Sequence, residues 1–272
     1  MIPPAATFRR TAVRGHSASD GFRTVPEETP IALTYNRTTH AVMLATPANL
    51  EDFAIGFSLS EGIITEPAQV QELEVVSVPE GVEARMSLDP DRLDRLSRRH
   101  RRLAGPSGCG LCGLDSLKDA IRPVPVVGGR TRIAGHTLIA AMASLQSAQS
   151  LNQLTHGVHA AAFWTPGRGL GSVREDVGRH NALDKLVGAL ARNAIPAHEG
   201  VLLLTSRVSV EMVQKAAVMG VAIVAAVSVP TALAIRTAEQ AGITLVAIAR
   251  QDGFEVFTHP GRITLDPMQH VA

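Results

Sequence analysis

The chain has little cysteine, few aromatic residues and no long apolar run, and each shortage removes a class of function. Only two cysteines occur in 272 residues, Cys109 and Cys112. A single pair so closely spaced does not form the disulfide framework of a small secreted domain. Aromatic residues make up 3% of the chain, too few to stack a series of bases. With a formal net charge of +1, this argues against a general nucleic-acid binder. No stretch approaches the roughly 18 apolar residues of a membrane-spanning helix, and Met1–Arg14 has no apolar core of the signal-peptide kind. The expectation is a cytoplasmic protein with neither membrane nor nucleic acid as partner, whose thiols stay reduced.

What remains is an ordinary globular composition, 45% hydrophobic and 19% charged, long enough to bury a sizeable core. Residues 1–27 are rich in Pro, Ser, Thr and Arg without a sustained period, and are expected to form a poorly ordered tail. Residues 28–130 read as an N-terminal α+β region. Strands are expected at Ile31–Tyr35 and His40–Ala45, a helix at Leu50–Ser60, and a hairpin from Glu74–Val78 and Val82–Leu88 around Pro79-Glu80-Gly81. A basic helix follows over Asp91–Leu103, carrying Arg92, Arg95, Arg98, Arg99, Arg101 and Arg102.

Residues 131–272 read as an α/β core. Val201–Thr205, Ala222–Val227 and Thr244–Ile248 are continuous apolar runs, the mark of strands buried on both faces. They alternate with the helical periods Val210–Met219 and Thr231–Ala241, which predicts a mainly parallel sheet covered by helices. The loops after those strands then share one rim, where open α/β sheets bind ligands.

Cys109-Gly110-Leu111-Cys112 is the most chemically loaded segment. A cysteine attacks as its thiolate, and neighbouring cations lower the thiol pKa, so an arginine-rich helix just upstream suits a sulfur-handling or redox pair. The alternative is a metal site, which needs about four ligands. No second cysteine pair exists, and His156 and His159 stand one residue too close for the usual His spacing. A zinc nucleobase deaminase pairs Cys-x-x-Cys with His-x-Glu, and no His-x-Glu occurs.

Other polar clusters fall on the expected rim. Arg179, His180 and Asn181 open a helix whose apolar face is Leu183, Leu186, Val187 and Leu190. They read either as a solvated first turn behind an Asp176 cap or as an anion site at a helix N-terminus. Ser206 and Arg207 follow a buried strand, Ser209 suits an N-cap, and Pro230 suits the first position of the next helix. Glu51 and Asp52 fit a first helical turn. His159 reads as a satisfied core or edge histidine.

Taken together, Gly108–Gly113, Glu175–Lys185, Ser206–Met212, Ala226–Thr231 and Thr46–Phe57 with Ser60-Glu61-Gly62 resemble the FdhD/NarQ family of formate dehydrogenase accessory proteins, over about residues 28–263. The resemblance implies a three-layer, cytidine-deaminase-like α/β core without zinc, preceded by a smaller β-rich subdomain. It implies a homodimeric sulfurtransferase that takes persulfide sulfur from a cysteine desulfurase. That sulfur goes to molybdenum bis(molybdopterin guanine dinucleotide) for formate dehydrogenase, with guanine nucleotide such as GDP as a mimic of the cofactor. The alternative is a non-catalytic chaperone of the same cofactor. By resemblance the persulfide falls on Cys109, with Cys112 as its partner, and the nucleotide-contacting segment on Ile248, Ala249, Arg250, Gln251, Asp252 and Gly253. Arg179, His180, Asn181, Ser206 and Arg207 are the further candidates for cofactor binding.

Overall fold

The computed structural model describes residues 2–89 and 123–265. Cys109, Cys112 and the basic helix expected over 91–103 lie outside the described residues.

The chain opens with a hairpin rather than the expected tail. Strands β1 (Ala5–Arg14) and β2 (Ser17–Pro26) pair antiparallel along their whole length, turning at Gly15, whose φ is +58°. Both faces are largely exposed, so no apolar alternation marked these strands in the sequence. Cross-strand polar pairs tie them instead. Thr7 Oγ1 meets Thr24 Oγ1 at 3.0 Å, and Asp20 accepts from both Arg9 and Thr11.

A four-stranded sheet follows, in the order β4 (Thr38–Ala45), β3 (Thr29–Tyr35), β6 (Gly81–Leu88), β5 (Val70–Val78). Helix α1 (Leu50–Ser60) covers one face, burying Phe53, Ala54 and Phe57 against Ile31, Leu33 and Met86. The Asn36-Arg37 turn has φ of +45° and +69°, as a tight hairpin requires.

The second half is built on a six-stranded sheet, ordered β13 (Gly253–Val256), β12 (Thr244–Arg250), β11 (Ile223–Ala226), β10 (Val201–Leu204), β8 (His159–Thr165), β9 (Gly169–Asp176). Only the central pairs, β10 with β11 and β11 with β12, are parallel; β8, β9 and β13 add antiparallel edges. The expected parallel sheet therefore holds at its centre, and hairpins at both ends make it mixed. A short β7 (Ile133–Ala134) pairs with β14 (Ile263–Thr264) beside it.

Helices α4 (Arg179–Arg192), α5 (Val210–Met219) and α6 (Ala232–Ala241) pack on one face through Leu183, Leu186, Val213 and Ala238. Helix α2 (Gly135–Ala148) packs on the other through Leu138, Met142 and Leu145, and a short α3 (Ser150–Thr155) follows it. Pro230 lies one residue before the N-cap Thr231, whose hydroxyl accepts from Ala234 N, so it is not the first helical residue.

Two contacts fix α1 to α4. At Gly56 an added Cβ would stand 1.7 Å from the Asp184 carbonyl oxygen, and at Gly188 1.9 Å from that of Asp52. The helices thus meet backbone to backbone. Asp52 is buried and takes ion pairs from Arg174 at 2.7 Å and Arg192 at 2.6 Å, which confirms Asp52 in a structural role.

Candidate functional site

Strand directions decide where the site lies. β10, β11 and β12 all end at one rim, β8 runs against β10 and so begins there, and β9 runs against β8 and so ends there. Into that rim opens a cavity of about 680 Å³, lined among others by Gln149, Asn152, His159, Thr205, Arg250 and Asp252. The predicted segment Ile248–Gly253 thus supplies one wall. Ile248 has a φ of +53°, which a β-branched side chain rarely adopts, and the β12–β13 pairing slips between Ala247 and Arg250. Strain of this kind costs about 1–3 kcal/mol and concentrates at ligand sites. Ala249 is buried, while Arg250, Gln251 and Asp252 are exposed at the mouth.

Beside the cavity stands a group of cationic side chains. His159, at the start of β8, has its pKa held below the ordinary 6.5 by burial first, then by Arg179 and Arg207, with His180 adding to them and Asp176 opposing. Arg179, Arg207 and His180 thus stand near His159, which itself lines the cavity. Arg179 Nε is buried and has no hydrogen-bond partner among the described residues, an arrangement that favours an incoming acceptor. Arg207 is exposed.

Three carboxylates near this group, Asp176, Glu211 and Glu175, are already engaged, whereas Asp252 is exposed in the cavity lining. Asp176 is fully buried and pairs with the equally buried Lys185 at 2.6 Å. Its oxygens also accept from Thr46 N, Gly178 N and Asn181 Nδ2, while Lys185 Nζ donates to the Thr46 carbonyl. Glu211 is held down to about 2 by hydrogen bonds from His180 and Ser209, against burial, which raises it. His180 Nε2 lies 3.5 Å from Glu211 Oε2, and Ser209 Oγ donates to that same oxygen at 2.5 Å. Ser209 is the N-cap residue of α5, but its hydroxyl serves Glu211 instead of the helix. Glu175 accepts from Leu151 N and Asn152 N and so caps α3.

Of the predicted side chains, the structure gathers Arg179, His180 and Arg207 with the 248–253 segment at one rim. Asn181 and Ser206 turn inward. Asn181 donates to the Leu44 carbonyl and to Asp176, and Ser206 donates to the Arg207 carbonyl. His159, read from the sequence as a core or edge histidine, and Glu211 were not among the predicted site residues, yet both stand with this group. The only cue to His159 was its place at a strand start that the antiparallel pairing of β8 carries to the rim. Among the described residues, no three His, Cys, Asp or Glu side chains are grouped to hold a metal ion. No helix among them is long and apolar enough to cross a membrane.

Comparison with known proteins places this architecture. A crystal structure of a candidate formate dehydrogenase accessory protein from Desulfotalea psychrophila superposes with a TM-score of 0.77 over 96% of this chain and all of its own, at 24% identity. The sulfur carrier protein FdhD of Agrobacterium fabrum is 51% identical over 269 residues, 97% of this chain and 99% of the relative. That of Brucella abortus is 55% identical over 242 residues, 89% of this chain and 90% of the relative. The FdhD/NarQ sequence pattern matches residues 26–264. The chain therefore belongs to the FdhD/NarQ family.

Proposed function

We propose that the chain is a cytoplasmic, homodimeric sulfur carrier that loads sulfur on Cys109 and hands it to molybdenum bis(molybdopterin guanine dinucleotide) destined for formate dehydrogenase. The observation that carries this reading is the rim. A cavity sized for a nucleotide is lined by His159 and Arg250, with Asp252 at its mouth, and Arg179, Arg207 and His180 stand near enough to His159 to depress its pKa. A ligand rich in phosphate suits that field, since guanidinium groups and a helix N-terminus both favour phosphoryl oxygens. The names of the relatives support the sulfur chemistry. The helices on both faces of the six-stranded sheet support a cytidine-deaminase-like layering.

Loading conserves electrons. The Cys109 thiolate attacks the outer sulfur of the desulfurase persulfide, one S–S bond breaks as another forms, and the desulfurase leaves as thiolate. Release of that sulfur as sulfide takes two electrons. Attack of the Cys112 thiolate on the inner sulfur supplies them and leaves a Cys109–Cys112 disulfide.

The test is intact mass after incubation with an active cysteine desulfurase and cysteine. Wild type gains about 32 Da per sulfur, Cys109→Ala gains nothing, and Cys112→Ala loads but does not release sulfide. An unloaded wild type would favour the non-catalytic cofactor chaperone and remove the covalent role from Cys109.

A further inference from the structure

A second cationic concavity lies at the other end of the six-stranded sheet. Residues Gly129–Arg132, leading into β7, and His259–Arg262, leading into β14, enclose about 580 Å³ lined by Gly129, Arg130, Arg132, His259, Gly261 and Arg262. Its place is fixed by β12. Arg262 Nη1 donates to Thr244 Oγ1, at the start of that strand, whereas Arg250 at its end belongs to the rim. Seven residues of strand separate the two sites, about 20 Å.

Among the described residues, no acidic side chain lines the concavity. Arg262 Nε donates to the Gly129 carbonyl, and Arg132 Nη1 donates to the Gly261 carbonyl at 3.1 Å. These are neutral acceptors, so the hydrogen bonds orient the guanidinium groups without cancelling their charge. Burial, and then Arg132 beside it, push the Arg262 pKa below its ordinary value, which records like charges in proximity. The only carboxylate paired with the group among the described residues is Glu239, an exposed side chain 3.7 Å from His259 Nε2. Gly261 leaves open space where a Cβ would project. Arg130 and Arg132 are both exposed, Arg132 being oriented by its bond to the Gly261 carbonyl.

We propose that this cleft binds a phosphate or diphosphate group, as a site separate from the rim. Arg262 and Arg132 form its base, Arg130 closes over it, and the forked guanidinium groups meet phosphoryl oxygens in pairs. The ligand is either a free diphosphate or the diphosphate of a nucleotide. The site stands on this geometry alone and does not depend on the sulfur-carrier reading.

The experiment is calorimetric titration of the full chain with pyrophosphate in an R179Q/R207Q/R250Q background, which removes the three arginines placed at the rim. One pyrophosphate binds per chain, and adding R130Q/R132Q weakens it by about tenfold or more. R130K/R132K, keeping charge but losing the fork, weakens it less. Arg262 is left intact because its hydrogen bonds to Gly129 and Thr244 hold the local fold. Absence of saturable binding at millimolar pyrophosphate, or equal affinity with and without R130Q/R132Q, overturns the site. GDP in the same background separates the sources. Affinity equal to that of pyrophosphate supports a site that reads phosphoryl groups alone, and tighter binding supports a nucleotide.

Discussion

At the scale of single residues, His159 is the reporter of the rim. Its imidazole is held neutral to lower pH than usual by burial and by Arg179, Arg207 and His180, with Asp176 opposing. A group whose folded pKa is depressed in this way disfavours its own protonation as pH falls through 6.5. A phosphate-bearing ligand reverses that field and raises the pKa, so binding draws in a proton. GDP titrated at pH 6.5 in buffers of different ionisation enthalpy should show more proton uptake for wild type than for His159→Gln. Equal uptake would place the phosphates elsewhere. This histidine was not legible as a site residue, because its charged neighbours come from two segments, 176–180 and 207, distant from it in the chain. Asn181 and Ser206 show the converse, polar side chains whose partners lie within the protein. Both sit in polar stretches that look exposed, yet the acceptor of Asn181 is a carbonyl 137 residues away. Long-range partners of that kind leave no local signature.

At the scale of elements, legibility followed the strength of the local signal. Leu50–Ser60 and Val210–Met219 appear with the expected bounds because apolar period, first-turn acids and a following turn all agree. The hairpin of residues 5–26 was illegible because neither strand has an apolar face. The crossing of α1 and α4 was also hidden, since a glycine inside a helix reads as a weakness rather than as a contact. Gly56→Ala inserts a methyl group where the Asp184 carbonyl already stands. It should destabilise the protein by upward of about 3 kcal/mol, or prevent folding, measured by urea denaturation. A loss below about 1 kcal/mol would mean that the helices can separate at little cost.

The whole molecule is organised so that its two halves share the site's supports. Thr46, from the loop before α1, donates its N–H to Asp176 and its hydroxyl accepts from Val177 N, while its carbonyl receives Lys185. The start of α4 is therefore held by the N-terminal sheet as much as by its own. The chain's single tryptophan and single tyrosine make this measurable, since Trp164 lies in β8 and the buried Tyr35 in β3. Trp164 fluorescence and the near-ultraviolet signal of Tyr35 should follow one common denaturation curve. Separate midpoints would show that the halves unfold independently. That the halves would interlock was not visible beforehand, because buried ion pairs such as Lys185–Asp176 look like surface charges in a sequence.

The backbone contact between Gly56 and Gly188 also bears on how mutational scans of this family are read. Substitutions there leave every cationic side chain of the rim in place, yet a Cβ at either position collides with a carbonyl of the other helix and is expected to cost the fold that carries them. Scored by enzyme maturation alone, two helical glycines would rank with the cysteines of the proposed sulfur site and pass for part of it. Scored by soluble yield as well, the two classes should separate, the glycine variants losing folded protein and variants of the proposed sulfur carrier keeping it.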